Sequence, residues 1–113
     1  PQAELPCYLQ NAIFTTGGGF SQVEPQPAYQ QAAVAHYLSS NISIPPSSKF
    51  NRTNRGYPDI GAIGQNVLIV MGGMWQVTGG TSASTPIVAG VFTLINDWLL
   101  NKGKAQLGFV NPL

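Results

Sequence analysis

The sequence has few charged residues, and this scarcity limits the partners it can have. Charged residues make up 8% of the 113 positions, against about 25% in a typical soluble domain. The formal net charge is only +1, from 5 Lys and Arg against 4 Asp and Glu. A nucleic-acid binder needs clustered basic side chains to neutralise phosphates, and only Arg52 and Arg55 lie near each other. The composition therefore argues against a nucleic-acid partner.

Cysteine and long hydrophobic runs are equally scarce. The single cysteine, Cys7, cannot form a disulfide within the chain, so it is either a small buried apolar side chain or pairs with a cysteine elsewhere. Apolar residues reach 43%, but they are interrupted well before the ~20 residues of a membrane span, and we expect no membrane contact. Residue 1 is not Met, and no basic or apolar leader region follows it, so any signal peptide has been removed or lies outside this stretch.

Local patterns predict one helix, one long loop and two strands before residue 79. Residues 27–39 predict a helix with apolar or aromatic positions at spacings of three and four; these are Tyr29, Ala32, Ala33, His36 and Tyr37. Residues 41–56 predict a polar loop containing two N-glycosylation sequons, which begin at Asn41 and Asn51. Residues 67–71 predict a strand that ends at two glycines, and residues 74–77 predict a second, short strand.

The segment from residue 79 combines small hydroxyl residues with a long apolar run. The run has no polar face before Asn96, and a helix of this kind belongs inside a larger core. Pro86 lacks an N–H and is tolerated near the first turn, so the helix is predicted to begin between Ser82 and Thr85.

Ser82 would then lie at a helix N-terminus close behind Gly80. Free backbone N–H groups and the helix dipole at that end stabilise negative charge on a substrate oxygen. The alternative is that Thr81, Ser82 and Ser84 only cap the helix.

The residue order favours the catalytic interpretation. Residues 80–86, G-T-S-A-S-T-P, followed by an apolar helix resemble the nucleophile segment of the subtilisin-like clan. Residues 16–21, T-G-G-G-F-S, with Pro, Pro, Tyr and Gln at 25, 27, 29 and 30, resemble the sedolisin family of serine-carboxyl peptidases. Residues 38–40, 45–48, 50–51, 55–59 and 107–113 are similar to its tripeptidyl-peptidase branch. The resemblance covers residues 16–113, and residues before Thr16 match poorly.

The resemblance implies an α/β fold with a subtilisin-like parallel-sheet core, to which the strand at 67–71 and the Ser82 helix would belong. Residues 1–113 would then be part of a single sedolisin-type peptidase domain, truncated at both ends, with the remainder upstream and downstream as partner. Gly79 departs from the family pattern, which usually has Ser at this position. The departure leaves the nucleophile in place.

The resemblance also implies roles for residues inside and outside this chain. Ser82 matches the nucleophile, and its backbone N–H matches one oxyanion donor. The family's Glu base, the Asp that supports it and a second, oxyanion-side Asp lie upstream of the glycine run and have no matching positions here; Glu4 lies in no matching motif and is not assigned. The family's calcium site would lie beyond Leu113, so no cofactor or metal is expected within this chain.

A carboxylate base implies acid operation. A Glu with a pKa of about 4.3 stays ionised at pH values where a His with a pKa of about 6.5 is charged and cannot accept a proton, and the oxyanion-side Asp must be protonated to donate a hydrogen bond. The resemblance implies that the complete protein hydrolyses polypeptides and releases tripeptides from their free N-termini, in a secreted or lysosomal setting. The isolated chain is expected to be inactive.

Three alternatives stay open. A His-based subtilisin-like endopeptidase would need a base such as His36, which instead has helical core spacing and is interpreted as structural. A non-catalytic homologue could act as a binding module. Ser82 could also be only a cap in an unrelated protein.

Asp59 is interpreted as a turn residue after Pro58. The sequence leaves undetermined the subsite preference, exo or endo action, the pairing of Cys7 and glycosylation of the two sequons.

Overall fold

The computed structural model describes residues 5–110, which divide into two units by their internal contacts. One unit contains residues 5–16 and 61–110, and the other contains residues 17–60. Helices and strands occur in both, so the chain is of mixed α/β composition. The prediction that residues 1–113 are part of one peptidase domain concerns the complete protein and stays a prediction.

The unit of residues 17–60 contains two strands that pair antiparallel, β1 (Gly19–Pro25) and β2 (Asn54–Tyr57). The glycine run before β1 lets its backbone approach β2 closely. A Cβ at Gly18 would lie 3.4 Å from the carbonyl oxygen of Tyr57, and the φ of Gly18 is 153°, a value that side chains disfavour.

Between these strands the chain is helical, as predicted for residues 27–39. A 3₁₀ turn at Ala28–Gln30 leads into α1 (Gln31–Ser39). The interpretation of the spaced side chains as core residues is wrong for this chain, because His36 and the alanines of α1 are exposed. The most shielded residue is Gln30, which is 8% exposed. Its Nε2 donates to the Gly56 carbonyl at 2.9 Å, and its Oε1 accepts from the Gly56 N–H at 3.0 Å, so hydrogen bonds attach the helical segment to β2.

The predicted loop at residues 41–56 is only partly a loop. It contains a 3₁₀ turn at Ser47–Lys49, and β2 begins inside it at Asn54. Strand β2 lacks β-branched residues and alternation, the signals of a strand, and its pairing with β1 supplies the order. Phe20 of β1 stacks on Phe50 at 5.1 Å, and Asn54 Nδ2 donates to the Ser21 carbonyl at 2.9 Å.

The other unit contains a hairpin of β3 (Val67–Met71) and β4 (Met74–Thr78). Both predicted strands are confirmed, and their antiparallel register places Met71 opposite Met74. Gly72 and Gly73 form the connecting turn with φ values of 61° and 77°, the positive values that a two-residue hairpin turn requires. All strand pairs within residues 5–110 are antiparallel. The parallel sheet depended on strands outside the chain and stays a prediction.

The last element is α2 (Thr81–Asn101), which begins one residue before the predicted interval of Ser82 to Thr85. Pro86 is therefore the sixth helical residue. A proline there removes the hydrogen bond that its N–H would donate to the carbonyl of Ser82, four residues earlier, and its ring crowds that carbonyl. Because the lost bond lies at the helix end, the helix can begin earlier than the first-turn rule predicts.

Helix α2 is apolar and lies open to solvent in this chain. None of its residues is buried, and Leu94 is 72% exposed. With 21 residues, the helix is long and apolar enough to cross a membrane by length and composition alone. The expectation that no apolar segment is as long as a membrane span is therefore wrong by length and composition. A single helix of this kind is weak evidence for a membrane, because a core helix has the same length and composition.

Candidate active site

The connection from β4 to α2 positions the candidate nucleophile. Gly80 precedes the helix with φ 139° and ψ 158°, a conformation that is essentially restricted to glycine. Its N–H donates to the Gly64 carbonyl at 2.7 Å, and its own carbonyl accepts from the N–H of Ala83 at 3.0 Å. These bonds tie the helix start to the segment before β3, so the direction of the first helical turn is determined by backbone contacts.

Ser82 is the second residue of α2, and both of its polar groups are available. Its side chain is exposed. Within residues 5–110, neither its Oγ nor its backbone N–H has a hydrogen-bond partner. The first N–H groups of a helix have no intrahelical acceptor and carry the positive end of the helix dipole. A hydroxyl beside such a donor can approach a carbonyl carbon while the N–H binds the carbonyl oxygen.

The neighbouring hydroxyls have structural partners. Ser84 Oγ donates to the Ile63 carbonyl at 3.0 Å, and Thr85 Oγ1 donates to the Thr81 carbonyl at 2.9 Å. The N-cap is Gly80, and no side chain makes a capping hydrogen bond. The alternative that Thr81, Ser82 or Ser84 caps the helix is therefore wrong. Ser82 differs from Ser84 because its hydroxyl makes no such bond within the described residues.

The absence of a side chain at position 79 has a local reason in this chain. A Cβ at Gly79 would lie 2.6 Å from Oε1 of Gln65 and 3.1 Å from the Gly64 carbonyl. The Gln65 amide thus occupies the space that a serine would need, and its buried Oε1 has no hydrogen-bond partner within the described residues. Sequence reasoning missed Gln65, because a lone glutamine before a strand belongs to no motif.

Two other residues considered in the sequence, Asp59 and His36, belong to the unit of residues 17–60. Asp59 forms an ion pair with Arg55 and accepts a hydrogen bond from Gln30 Nε2 at 2.9 Å. The bond to Asp59 is the main reason that the pKa of Arg55 is raised. His36 lies exposed in α1. Glu4 and residues 111–113, which include the Asn-Pro motif, lie outside the described residues.

The single cysteine, Cys7, belongs to no group of three metal-binding side chains within residues 5–110. Cys7 is half-buried and is a free thiol in the described part of the chain; its pairing with a cysteine elsewhere stays open. Residues 5–110 contain no group of three or more His, Cys, Asp or Glu side chains that could hold a metal ion. The calcium site expected beyond Leu113 stays a prediction.

Comparison with known proteins identifies relatives of this chain. No known protein-family model matches the chain. It is 48% identical over 110 residues to physarolisin from Physarum polycephalum, covering 97% of the chain and 19% of that protein. It is 46% and 43% identical over 112 residues to tripeptidyl-peptidase 1 from Rattus norvegicus and Homo sapiens, covering 95% of the chain and 20% of each. The chain thus spans about a fifth of the length of these relatives. At 43–48% identity over nearly all of its residues, the chain is a homologue of these proteins, which are members of the sedolisin family.

Proposed function

We propose that the chain contributes the nucleophile segment of a serine-carboxyl peptidase. The observation that carries the proposal is the Ser82 side chain, which is exposed and unbonded within the described residues at the start of α2. Its own N–H is equally unpaired there. The names of the relatives support peptide-bond hydrolysis, since two of them are tripeptidyl-peptidases.

The proposed chemistry uses two atoms of one residue. Ser82 Oγ attacks the carbonyl carbon of the scissile bond, and its proton passes to a general base. The N–H of Ser82 donates to the carbonyl oxygen as that oxygen becomes negatively charged. As the tetrahedral intermediate collapses, the C–N bond breaks and the base returns the proton to the leaving amine; water then hydrolyses the acyl-enzyme.

The groups that complete the reaction are proposed to come from outside this chain. By resemblance to the family, these are a Glu base, an Asp that supports it and a second Asp that donates to the oxyanion. The complete protein is proposed to take polypeptide substrates, to release tripeptides from their free N-termini, and to act in a secreted or lysosomal, acidic setting. Calcium is proposed for the complete protein only, and no step here uses it.

The remainder of the domain is proposed to cover the apolar surfaces of this chain. No hydrophobic side chain in residues 5–110 is buried, and Trp75 of β4 and Leu94 of α2 are each 72% exposed. A subtilisin-like parallel sheet would supply strands beside the hairpin and further elements around α2. This proposal accounts for a helix without a polar face, which needs neighbours on several sides.

The pH dependence of the complete protein tests the identity of the base. We expect kcat/KM to be highest in acid and to fall as the oxyanion-side Asp loses its proton. A Glu with a pKa of about 4.3 is ionised in mild acid, whereas a His with a pKa of about 6.5 is still protonated at that pH and cannot accept a proton. The measurement is kcat/KM for a tripeptidyl reporter substrate between acid and neutral pH. A maximum at neutral pH with little activity in acid would instead support the His-based alternative.

The isolated 113-residue chain should hydrolyse no peptide at any pH. A serine hydroxyl without a base is a weak nucleophile, and Ser82 Oγ has no partner of any kind within the described residues. The assay is release of a fluorescent product from N-terminal and internal peptide substrates by purified chain. Turnover that disappears in Ser82→Ala would contradict the proposal that the base lies outside. Failure of the folded complete protein to hydrolyse any substrate would favour a non-catalytic homologue.

A further inference from the structure

The side chain of Gln65 packs against the backbone that leads into α2. A Cβ on Gly79 would lie 2.6 Å from Gln65 Oε1 and 3.5 Å from its Cδ. The first distance is too short for an ordinary contact between carbon and oxygen, so the carboxamide fills the space beside Gly79. Gln65 lies two residues before β3, and Gly79 directly follows β4. The contact therefore joins the two open ends of the hairpin, next to the helix that carries Ser82.

Hydrogen bonding of its oxygen does not explain where this carboxamide lies. Gln65 Oε1 is buried and has no hydrogen-bond partner within residues 5–110. A buried acceptor without a donor destabilises a folded chain, and such a group in a native structure needs an explanation. Of the atoms around a Cβ at position 79, this oxygen is the nearest. We therefore attribute its placement to packing against Gly79.

The backbone of Gly64 forms the other part of the surface on which residues 79–80 lie. Its carbonyl accepts from the Gly80 N–H at 2.7 Å and would lie 3.1 Å from a Cβ on Gly79. Gly64 is itself buried, and a Cβ on it would lie 3.2 Å from the Phe14 ring and 3.1 Å from Ser84 Oγ. Since Gly64 has close neighbours of its own, it provides a fixed support for residues 79–80.

Residues 79–80 have little stiffness of their own. Both are glycines, and Gly80 adopts φ 139° and ψ 158°. Glycine has more conformational freedom than any other residue, so contacts from neighbouring segments must restrict this backbone. Ser82 supplies no such contact, because neither its Oγ nor its N–H has a hydrogen-bond partner within the described residues. The packing of Gln65 beside Gly79 therefore helps to set the position of both groups of Ser82.

We propose that Gln65 is a positioning residue for the nucleophile, which holds residues 79–80 and through them Ser82. The inference rests on the peptidase function proposed above and deepens it. Displacing a reacting group by about 1 Å can lower the rate by about 10²-fold. Because Gln65 acts through the backbone and has no proposed contact with substrate, its loss should lower kcat and leave KM nearly unchanged.

The first test replaces Gln65 in the complete protein. We expect Gln65→Ala to lower kcat by about tenfold or more, with KM within about twofold of the wild type. Gln65→Met, which has similar length without the carboxamide, should restore most of kcat, because the proposed role is one of shape. If Gln65→Ala does not fold, Gln65→Asn withdraws the oxygen by one methylene and should show the same loss of kcat at nearly constant KM.

Gln76→Ala is the matched control, because Gln76 is a half-buried glutamine in β4 of the same hairpin. It should keep kcat within about twofold of the wild type. Wild-type kcat in the folded Gln65 variants, or a change confined to KM, would overturn the proposal. An equal loss of kcat in Gln76→Ala would also overturn it, since the effect would then not be specific to the contact with Gly79.

A double-mutant cycle tests the contact from its other side. The methyl group of Gly79→Ala would displace the Gln65 carboxamide and should also lower kcat. In Gln65→Ala with Gly79→Ala, the methyl enters the space that the carboxamide leaves. The double variant should therefore retain at least about fivefold more kcat than the product of the two single effects predicts. Effects on kcat that simply multiply would contradict the positioning role.

Thermal unfolding of the same four proteins separates positioning from stability. Coupling of the two changes in the unfolding midpoint, without coupling in kcat, would show a purely structural contact and would overturn the proposal. A folded wild-type protein that hydrolyses no substrate would contradict the proposed function together with this inference. An active wild type whose variants show no coupling in kcat would overturn the inference alone.

Discussion

Replacing Ser82 with alanine in the complete protein should abolish peptidase activity while leaving its folding nearly unchanged. Loss of a nucleophile that acts with its base as a unit costs at least about 10³-fold in kcat. The Ser82 hydroxyl makes no hydrogen bond within the described residues, so its removal should change the free energy of unfolding by less than about 1 kcal/mol. The measurements are kcat/KM at acid pH and the midpoint of thermal unfolding.

Ser84→Ala is the matched control, because it removes a hydroxyl two residues away that has a structural partner. Ser84 Oγ donates to the Ile63 carbonyl at 3.0 Å, and loss of such a bond lowers stability by about 1 kcal/mol. We expect Ser84→Ala to lower the unfolding midpoint and to keep kcat within about tenfold of the wild type. Ser82→Ala that retains activity within about tenfold would overturn the assignment of the nucleophile.

The second large effect concerns the isolated chain, which should aggregate or fold only in part. No hydrophobic side chain in residues 5–110 is buried. The unit of residues 17–60 also has an open cavity of about 730 Å³ lined by Phe20, Tyr37 and Phe50. Exposed apolar surface and unpaired strand edges favour association. Light scattering should show polydisperse material, and near-UV circular dichroism should show no sharp melting transition.

A pair of substitutions distinguishes covered from exposed surface. Leu94→Lys places a charge on the apolar surface of α2 and should improve the solubility of the isolated chain. In the complete protein, the same change should destabilise by several kcal/mol if other elements cover α2, because an unpaired charge would be buried. Asn101→Lys, at an exposed polar position of the same helix, should be neutral in both settings. A monodisperse isolated chain that melts cooperatively would show that these residues fold alone.

Local sequence predicted those elements whose signals are themselves local. Residues 67–71 are a β-branched and apolar run followed by two glycines, and the hairpin of β3 and β4 follows from these features. The helical segment at residues 28–39 also agrees with its periodicity. Strands β1 and β2 were missed because their order comes from pairing between residues 29 to 38 positions apart in the chain, and propensity carries no information about such pairing.

The sequence by itself determined the resemblance to the sedolisin family, the helix that carries Ser82 and the two sequons, because each depends on the identity and order of neighbouring residues. Only the tertiary structure decided which of the hydroxyls near the start of α2 has a hydrogen-bond partner. Ser82 and Ser84 are both serines at the start of α2, but the contact of Ser84 with the Ile63 carbonyl forms when a segment twenty-one residues earlier lies against that helix start. The Gly80 to Gly64 bond depends on the same approach. Such contacts require the folded chain, since hydrogen-bond partners distant in sequence are chosen by packing and not by local order.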